Sequence, residues 1–213
     1  GSRGLRRCPV RPDVLSLHSI ILIDFMIRNT DNGTLDAALA VPSLTNDGYG
    51  TFFSGLLEVA AGRAIDDGTG GRIERYVASW LAGNSLDGFT DYSAAGYRRT
   101  YLGRCPETGW EAIVMSWQEG NRTRIHAHPQ FAGYFFADGK FLVEVFEPAA
   151  PGYARLQHSR VVEAPLGFYA VGPEGGFENH IHRITCLSAT GHSLHVYSDD
   201  ALRGAVYEEA PER

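Results

Sequence analysis

The sequence predicts a mainly β domain, a sandwich or a closed barrel, with two helices packed outside it, and three observations lead there. From about residue 97 to residue 198 the chain is a series of short β-rich segments punctuated by Gly, Pro and Asp. Before that, two segments repeat apolar residues at the helical period. The 213 residues are 44% hydrophobic and contain no linker-like stretch, which predicts one compact domain around one buried core.

The first helix is expected over residues 51–65, where Phe52, Phe53, Leu56, Leu57 and Ala60 share a stripe. The second is expected over 72–81, because Ile73, Tyr76, Val77, Trp80 and Leu81 fall at offsets 0, 3, 4, 7 and 8, one face of a helix. Gly70-Gly71 is read as the break between the two and Gly83-Asn84 as the end of the second. Strands are expected over 111–117, 131–136, 141–146, 167–171, 181–185 and 193–198. Asp138-Gly139, lying between two aromatic-rich runs, is read as a hairpin turn. On this reading residues 1–50 are an N-terminal extension, 51–95 the helical part and 96–213 the barrel.

Composition narrows the partners. A formal net charge of -6 and the lack of any Lys/Arg-rich run argue against nucleic acid or an anionic membrane surface, and favour a small-molecule ligand. Residues 15–25, after Arg3, Arg6, Arg7 and Arg11, imitate a signal peptide, but Asp13, His18 and Asp24 interrupt the apolar run. No stretch reaches the length of a membrane span. Cys8, Cys105 and Cys186 form neither a disulfide framework nor a zinc-ligand spacing, which fits a reducing compartment. A cytoplasmic protein, monomeric or weakly homo-oligomeric, is expected.

Seven of the eight histidines, His126, His128, His158, His180, His182, His192 and His195, lie in the last 88 residues. His126-Ala127-His128 places two imidazoles at i and i+2, on one face if the segment is a strand, and two such imidazoles make adjacent metal ligands. Gly120 precedes His126 by six positions. The resulting Gly-x5-His-x-His resembles the first half of the first cupin motif, which implies a cupin jelly-roll β-barrel. The glutamate of that motif would fall at Ala132 or Gly133, neither of which can bind a metal, so a third ligand must come from elsewhere.

A second His-x-His, Asn179-His180-Ile181-His182-Arg183-Ile184, stands on a later expected strand. Ile181-His182-Arg183-Ile184 is similar to the Leu-His-Arg-Val type string of the cysteine dioxygenase family, which implies His182 as the third iron ligand, with His180 the alternative. Ser193-Leu194-His195-Val196-Tyr197 matches that family's Ser-x-His-x-Tyr relay. On a strand this spacing stacks hydroxyl, imidazole and phenol on one face, although an isolated strand of the same pattern would simply show a polar face to solvent. Gly96-Tyr97-Arg98-Arg99 resembles the family's Tyr-x-Arg string, and Trp117-Gln118-Glu119-Gly120 its Trp-x-x-Gly entry into the metal motif. The resemblance implies Arg99 as the clamp on a substrate carboxylate, with Arg98 the alternative and Tyr97 beside the substrate.

Taken together, the resemblance implies an Fe(II) enzyme, held by His126, His128 and His182, that oxidises a small thiol with O2. L-Cysteine converted to a sulfinate comes first, with Tyr197, His195 and Ser193 as the catalytic relay. The alternatives are another thiol (3-mercaptopropionate, mercaptosuccinate, cysteamine or a pathway-specific one) and a metal-dependent cupin acting on a non-sulfur substrate. Gly133 stands where animal members carry the cysteine that cross-links to the active-site tyrosine, so no Cys-Tyr thioether is expected.

Overall fold

The computed structural model describes residues 47–211. Cys8, Met26, the apolar stretch 15–25 and nearly all of the expected N-terminal extension lie outside them. Among the described residues, no helix is long and apolar enough to cross a membrane.

Two helices open this region, α1 (Asp47–Ala60) and α2 (Asp67–Gly83). The Asp66 carboxylate caps α2 by accepting the Thr69 N–H at 2.8 Å, and Asn84 ends it with its N–H on the Leu81 carbonyl. The expected break at Gly70-Gly71 is displaced, because both glycines lie inside α2. A Cβ on Gly70 would stand 2.3 Å from the ring of Tyr169, so the glycine is there to let a sheet residue pack against the helix. The true break, residues 61–66, follows an α1 that starts and stops earlier than the apolar stripe suggests.

Ten strands follow: β1 (Arg98–Arg104), β2 (Glu111–Gln118), β3 (Ile125–His128), β4 (Phe131–Asp138), β5 (Lys140–Ala150), β6 (Tyr153–Glu163), β7 (Leu166–Val171), β8 (Asn179–Cys186), β9 (Thr190–Tyr197) and β10 (Val206–Glu209). Their pairing is nested: β5 with β6, β4 with β7, β3 with β8 and β2 with β9, all antiparallel. The nested pairs are shared between two sheets, β1-β2-β9-β4-β7 and β10-β3-β8-β5-β6. That is the strand order of a jelly roll, so the fold is a jelly-roll β-barrel with the helices outside. The second sheet closes through β10, antiparallel to β3 and parallel to β6.

The three central strands of the first sheet, β2, β9 and β4, are buried on both faces. Ala112, Val114, Leu194 and Val196 point to the helices, against Phe52, Leu56, Ile73 and Val77. Ile113, Met115, Trp117, Tyr134 and Phe136 point the other way, into the space between the sheets, where they meet Phe141, Val143 and Ile184. β2 therefore reads as a continuous apolar run rather than an alternation.

Asp138-Gly139 does turn the chain, with Gly139 at φ 86°. It is not a hairpin, however: β4 and β5 belong to different sheets. The aromatic runs on either side meet across the core instead, Phe136 to Phe141 at 4.6 Å between ring centroids. Four strands are absent from the expected set: β1, β3, β6 and β10. β6 is mostly exposed and rich in polar side chains, and β3 and β10 have only four residues each, so none carries a readable apolar period.

This corner is pinned by His192, which faces the helix side. Its Nδ1 is 2.7 Å from Asp138 Oδ2 and its Nε2 is 3.0 Å from both the Phe89 carbonyl and the Tyr92 hydroxyl; the two acceptors favour the charged ring, while the hydroxyl can pair with either form. Burial works against that charge, but the bonds to Asp138 and Phe89 and the charges of Asp138 and Asp87 outweigh it and raise the pKa above 6.5. A histidine raised on folding contributes stability that is fully present below its unfolded value and lost as pH rises through its folded one. The melting temperature should therefore fall from about pH 6 to about pH 8, by an amount equivalent to about 1 kcal/mol once the partial exposure of Asp138 is discounted. In Asp138→Asn this component of the slope should vanish; equal slopes in the two proteins would refute the assignment.

Candidate metal centre

β3 and β8 run side by side with His126 directly opposite His182, and His128 follows two residues on, beyond a shift in register. Ala127 between them turns to the opposite face, where it joins Ile125 and Ile181 in a separate apolar cluster. Three imidazoles thus converge between the sheets. Their ring centroids are 4.5 Å (His126–His128), 5.0 Å (His126–His182) and 4.6 Å (His128–His182) apart. One nitrogen from each lies within 4.8 Å of the other two, a group that could hold a metal ion. His180 is outside that group.

The chemistry of these groups suits a cation. Burial, then the neighbouring imidazoles, holds His128 and His182 far below the usual histidine range, so both are neutral at physiological pH, as ligands must be. Neither nitrogen of His128 has a hydrogen-bond partner, although the residue is 1% exposed. A buried polar group left in this state costs about 1–3 kcal/mol, and an ion bound by the imidazole would relieve it. The other two rings have their Nδ1 atoms occupied: His126 Nδ1 donates to the Arg124 carbonyl at 2.9 Å, and His182 Nδ1 is 3.0 Å from His180 Nδ1. This pattern presents Nε2 as the ligand atom in both.

β9 supplies the neighbouring row. Trp117 Nε1 donates to Ser193 Oγ at 2.8 Å, Ser193 Oγ is 2.7 Å from His195 Nε2, and His195 Nδ1 is 3.0 Å from Tyr197 Oη. The face that would be solvated on an isolated strand is here fully buried, because the second sheet covers it. Burial, with help from Arg99 and His126, pushes the His195 pKa down to about 3, so the ring is neutral, one nitrogen donating and the other accepting. Burial likewise keeps the proton on Tyr197. The chain ends at the imidazole group: the Tyr197 ring stacks on His128, with centroids 5.3 Å apart and planes 10° from parallel.

β1 separates the two candidate arginines by face. Arg98 lies opposite Ser116, whose hydroxyl points out to the Phe89 carbonyl, and Arg98 pairs with Asp91 at 3.6 Å. Arg99 lies opposite Met115 and points in. It is buried, its Nε has no hydrogen-bond partner, and its guanidinium is 5.8 Å from the Tyr101 ring centre. Burial opposes the charge on Arg99, but the oxygens of Tyr101, Tyr97 and Tyr197 and the Glu111 carboxyl favour it, and it stays protonated. Tyr97 stacks on Trp117 at 4.7 Å.

Sequence reasoning missed several members of this interior. Tyr134 on β4 lies opposite His195, its ring 4.8 Å from that of His182, and its Oη is 3.3 Å from His180 Nδ1. Trp117 heads the relay rather than merely preceding the metal motif. Glu111 is buried opposite Tyr197, and burial lifts its pKa to about 7. Each shows itself only through strand pairing; the one local signal was their alternation with outward-facing neighbours. Pairing also moves one expected position. The β4 residue facing Tyr197 is Ala132, because Gly133 pairs with Val196 on the helix side. His158 and His192, the remaining clustered histidines, stand apart: the first is exposed on β6, and the second faces the helices.

No known family's sequence pattern matches this chain, and no curated protein is significantly similar to it. Solved structures do resemble it. A conserved protein with a double-stranded β-helix domain from Klebsiella pneumoniae is 13% identical over 59% of this chain and 90% of its own, with a TM-score of 0.44. A cupin 2 domain-containing protein from Halorhodospira halophila is 16% identical over 56% and 76%, with a TM-score of 0.40. An oxalate oxidase is 17% identical over 60% and 63%, with a TM-score of 0.42. Likeness at this level says nothing about the reaction.

The unpaired imidazole generates a direct expectation. His128→Leu replaces two unsatisfied nitrogens with an apolar group, so the metal-free protein should melt several degrees higher, matching about 1–3 kcal/mol. The same variant should lose the thermal shift that a divalent ion gives the unsubstituted protein. A lower metal-free melting temperature would mean that His128 serves the fold rather than a ligand.

Proposed function

We propose that the protein is a metal-dependent oxygenase that oxidises the sulfur of a small, carboxylate-bearing thiol with O2, with L-cysteine to its sulfinate as the first candidate. The observation that carries the reading is the meeting of two groups between the sheets: three converging imidazoles, and a Trp117–Ser193–His195–Tyr197 hydrogen-bond chain whose last ring stacks on His128. A relay of this kind is superfluous to a centre that only stores or senses a metal.

His126, His128 and His182 would hold the ion, and three imidazoles suit Fe(II). When bound, iron supplies a Lewis-acid site that keeps a thiol deprotonated and brings it together with O2. Arg99 holds the substrate carboxylate through the parallel N–H bonds of its guanidinium, an anion that would also satisfy its unpartnered Nε. The Tyr197 phenol, proton retained, donates a hydrogen bond toward the reacting atoms. His195 and Ser193 fix the direction of that bond, and Trp117 anchors them by donating to Ser193. No side chain need act as base.

Arg99 would hold the carboxylate of a sulfur-free substrate equally well, so a metal-dependent enzyme for such an acid is the second reading. Oxygen consumption by Fe(II)-reconstituted, reductant-treated protein against a panel of thiols, with mass spectrometry of the products, separates the two. Uptake with one thiol, a product two oxygens heavier, and loss of both in His126→Ala are expected. Arg99→Lys should raise KM for that thiol by about tenfold or more, since a lysine cannot fork, whereas Arg98→Lys should leave it unchanged. Bound iron without uptake on any thiol would turn the assignment to the sulfur-free acid.

A further inference from the structure

His180 is the one non-glycine residue with a positive φ, 47°, among the described residues. Such a backbone carries strain for a side chain with a Cβ and persists only where the surroundings over-determine it. Here the surroundings are the metal centre itself. Asn179, just before it, is buried, and its Nδ2 donates to the carbonyls of Pro129, Gln130 and Ala170 at 3.2, 2.9 and 3.0 Å. That triple anchor ties the start of β8 to the β3–β4 turn and to β7. The next residue is then left to point where the backbone sends it.

On a regular strand His180 and His182 would project side by side, as His126 and His128 do. Instead His180 Nδ1 meets His182 Nδ1 at 3.0 Å, and Tyr134 Oη lies 3.3 Å from the same atom. A ligand that binds through Nε2 keeps its proton on Nδ1 and needs an acceptor there, most often a carboxylate or a carbonyl. For His182 the acceptor in place is a neutral imidazole, which adds no negative charge to the centre.

We propose that His180 is a positioning residue for one of the three ligands: its side chain, directed by the left-handed backbone, accepts the Nδ1–H of His182. The inference rests on the three-histidine centre of the preceding subsection and is independent of the substrate.

Cobalt(II) affinity, measured by competition with a chelator, and the metal-free melting temperature test it in His180→Gly, His180→Asn and His126→Ala. Glycine adopts this backbone freely, so His180→Gly should melt no lower than the unsubstituted protein while binding cobalt about 10–100-fold more weakly. Asparagine tolerates the left-handed region and offers a side-chain oxygen to the same N–H, so His180→Asn should recover binding to within about threefold. The proposal is overturned if the glycine variant binds within about twofold of the unsubstituted protein, if asparagine does no better than glycine, or if glycine lowers the metal-free melting temperature, which would make His180 a prop of the fold. Unchanged binding in His126→Ala would remove the metal centre itself, a failure distinguishable from that of His180 alone.

Discussion

The register of β8 between β3 and β5 is the constraint on which the rest of the site depends. It sets His126 opposite His182, and it is held from the outer face by Arg183. That guanidinium forks onto Glu144 of β5, with both N···O distances at 2.6 Å, reaches Glu209 of β10 at 2.9 Å, and lies 5.1 Å from the Phe146 ring centre. A slip of one residue would drive Arg183 into the apolar interior and push His182 out of it. Burying an unpaired guanidinium costs far more than any ladder hydrogen bond returns, so the ion pair on the outside fixes the imidazole on the inside.

Given that register, the interior divides by chemistry. One part is apolar, built from Phe136, Phe141, Val143 and Ile184. The other concentrates imidazoles, phenols and a charged arginine where no water-exposed surface would require them. Keeping these groups neutral, or paired in a chain, makes the arrangement tolerable: the relay satisfies its own members, while His128 and Arg99 retain unsatisfied nitrogens. In the function proposed above, the His128 nitrogens would meet a cation and the Arg99 nitrogen an anion. Stability and chemistry pull in opposite directions at both residues, as expected of a site arranged to bind rather than to pack.

The helices and the His192 corner serve the site indirectly. By covering the outer face of β2, β4 and β9, the helices make those strands two-sided, so the inner face can carry polar residues without the sheet losing its apolar anchorage. The Asp138–His192 bond fastens β9 to the β4–β5 corner, close to the start of the strand that bears Ser193, His195 and Tyr197.

Much of this was legible in the residues alone. Period-2 spacing put His126 with His128, and Ser193 with His195 and Tyr197, on shared faces, because alternation is a local property of any strand. The two helices followed from apolar period, and six of the ten strands from β-rich segments bounded by Gly, Pro and Asp. Which faces meet was beyond local pattern. The Asp138-Gly139 turn looked like a hairpin until the sheets separated β4 from β5, and Gly70 looked like a helix break until Tyr169 was seen to occupy its missing Cβ. Arg98 and Arg99 were indistinguishable until β1 paired with β2. His180 could be weighed only as a substitute for His182, since nothing in Asn-His-Ile-His announces a left-handed residue. The sequence by itself determined which side chains share a strand face and so which chemistry is present; only the tertiary structure decided which faces are buried together, because that depends on pairing between residues some 50 to 90 positions apart, and no local period encodes it.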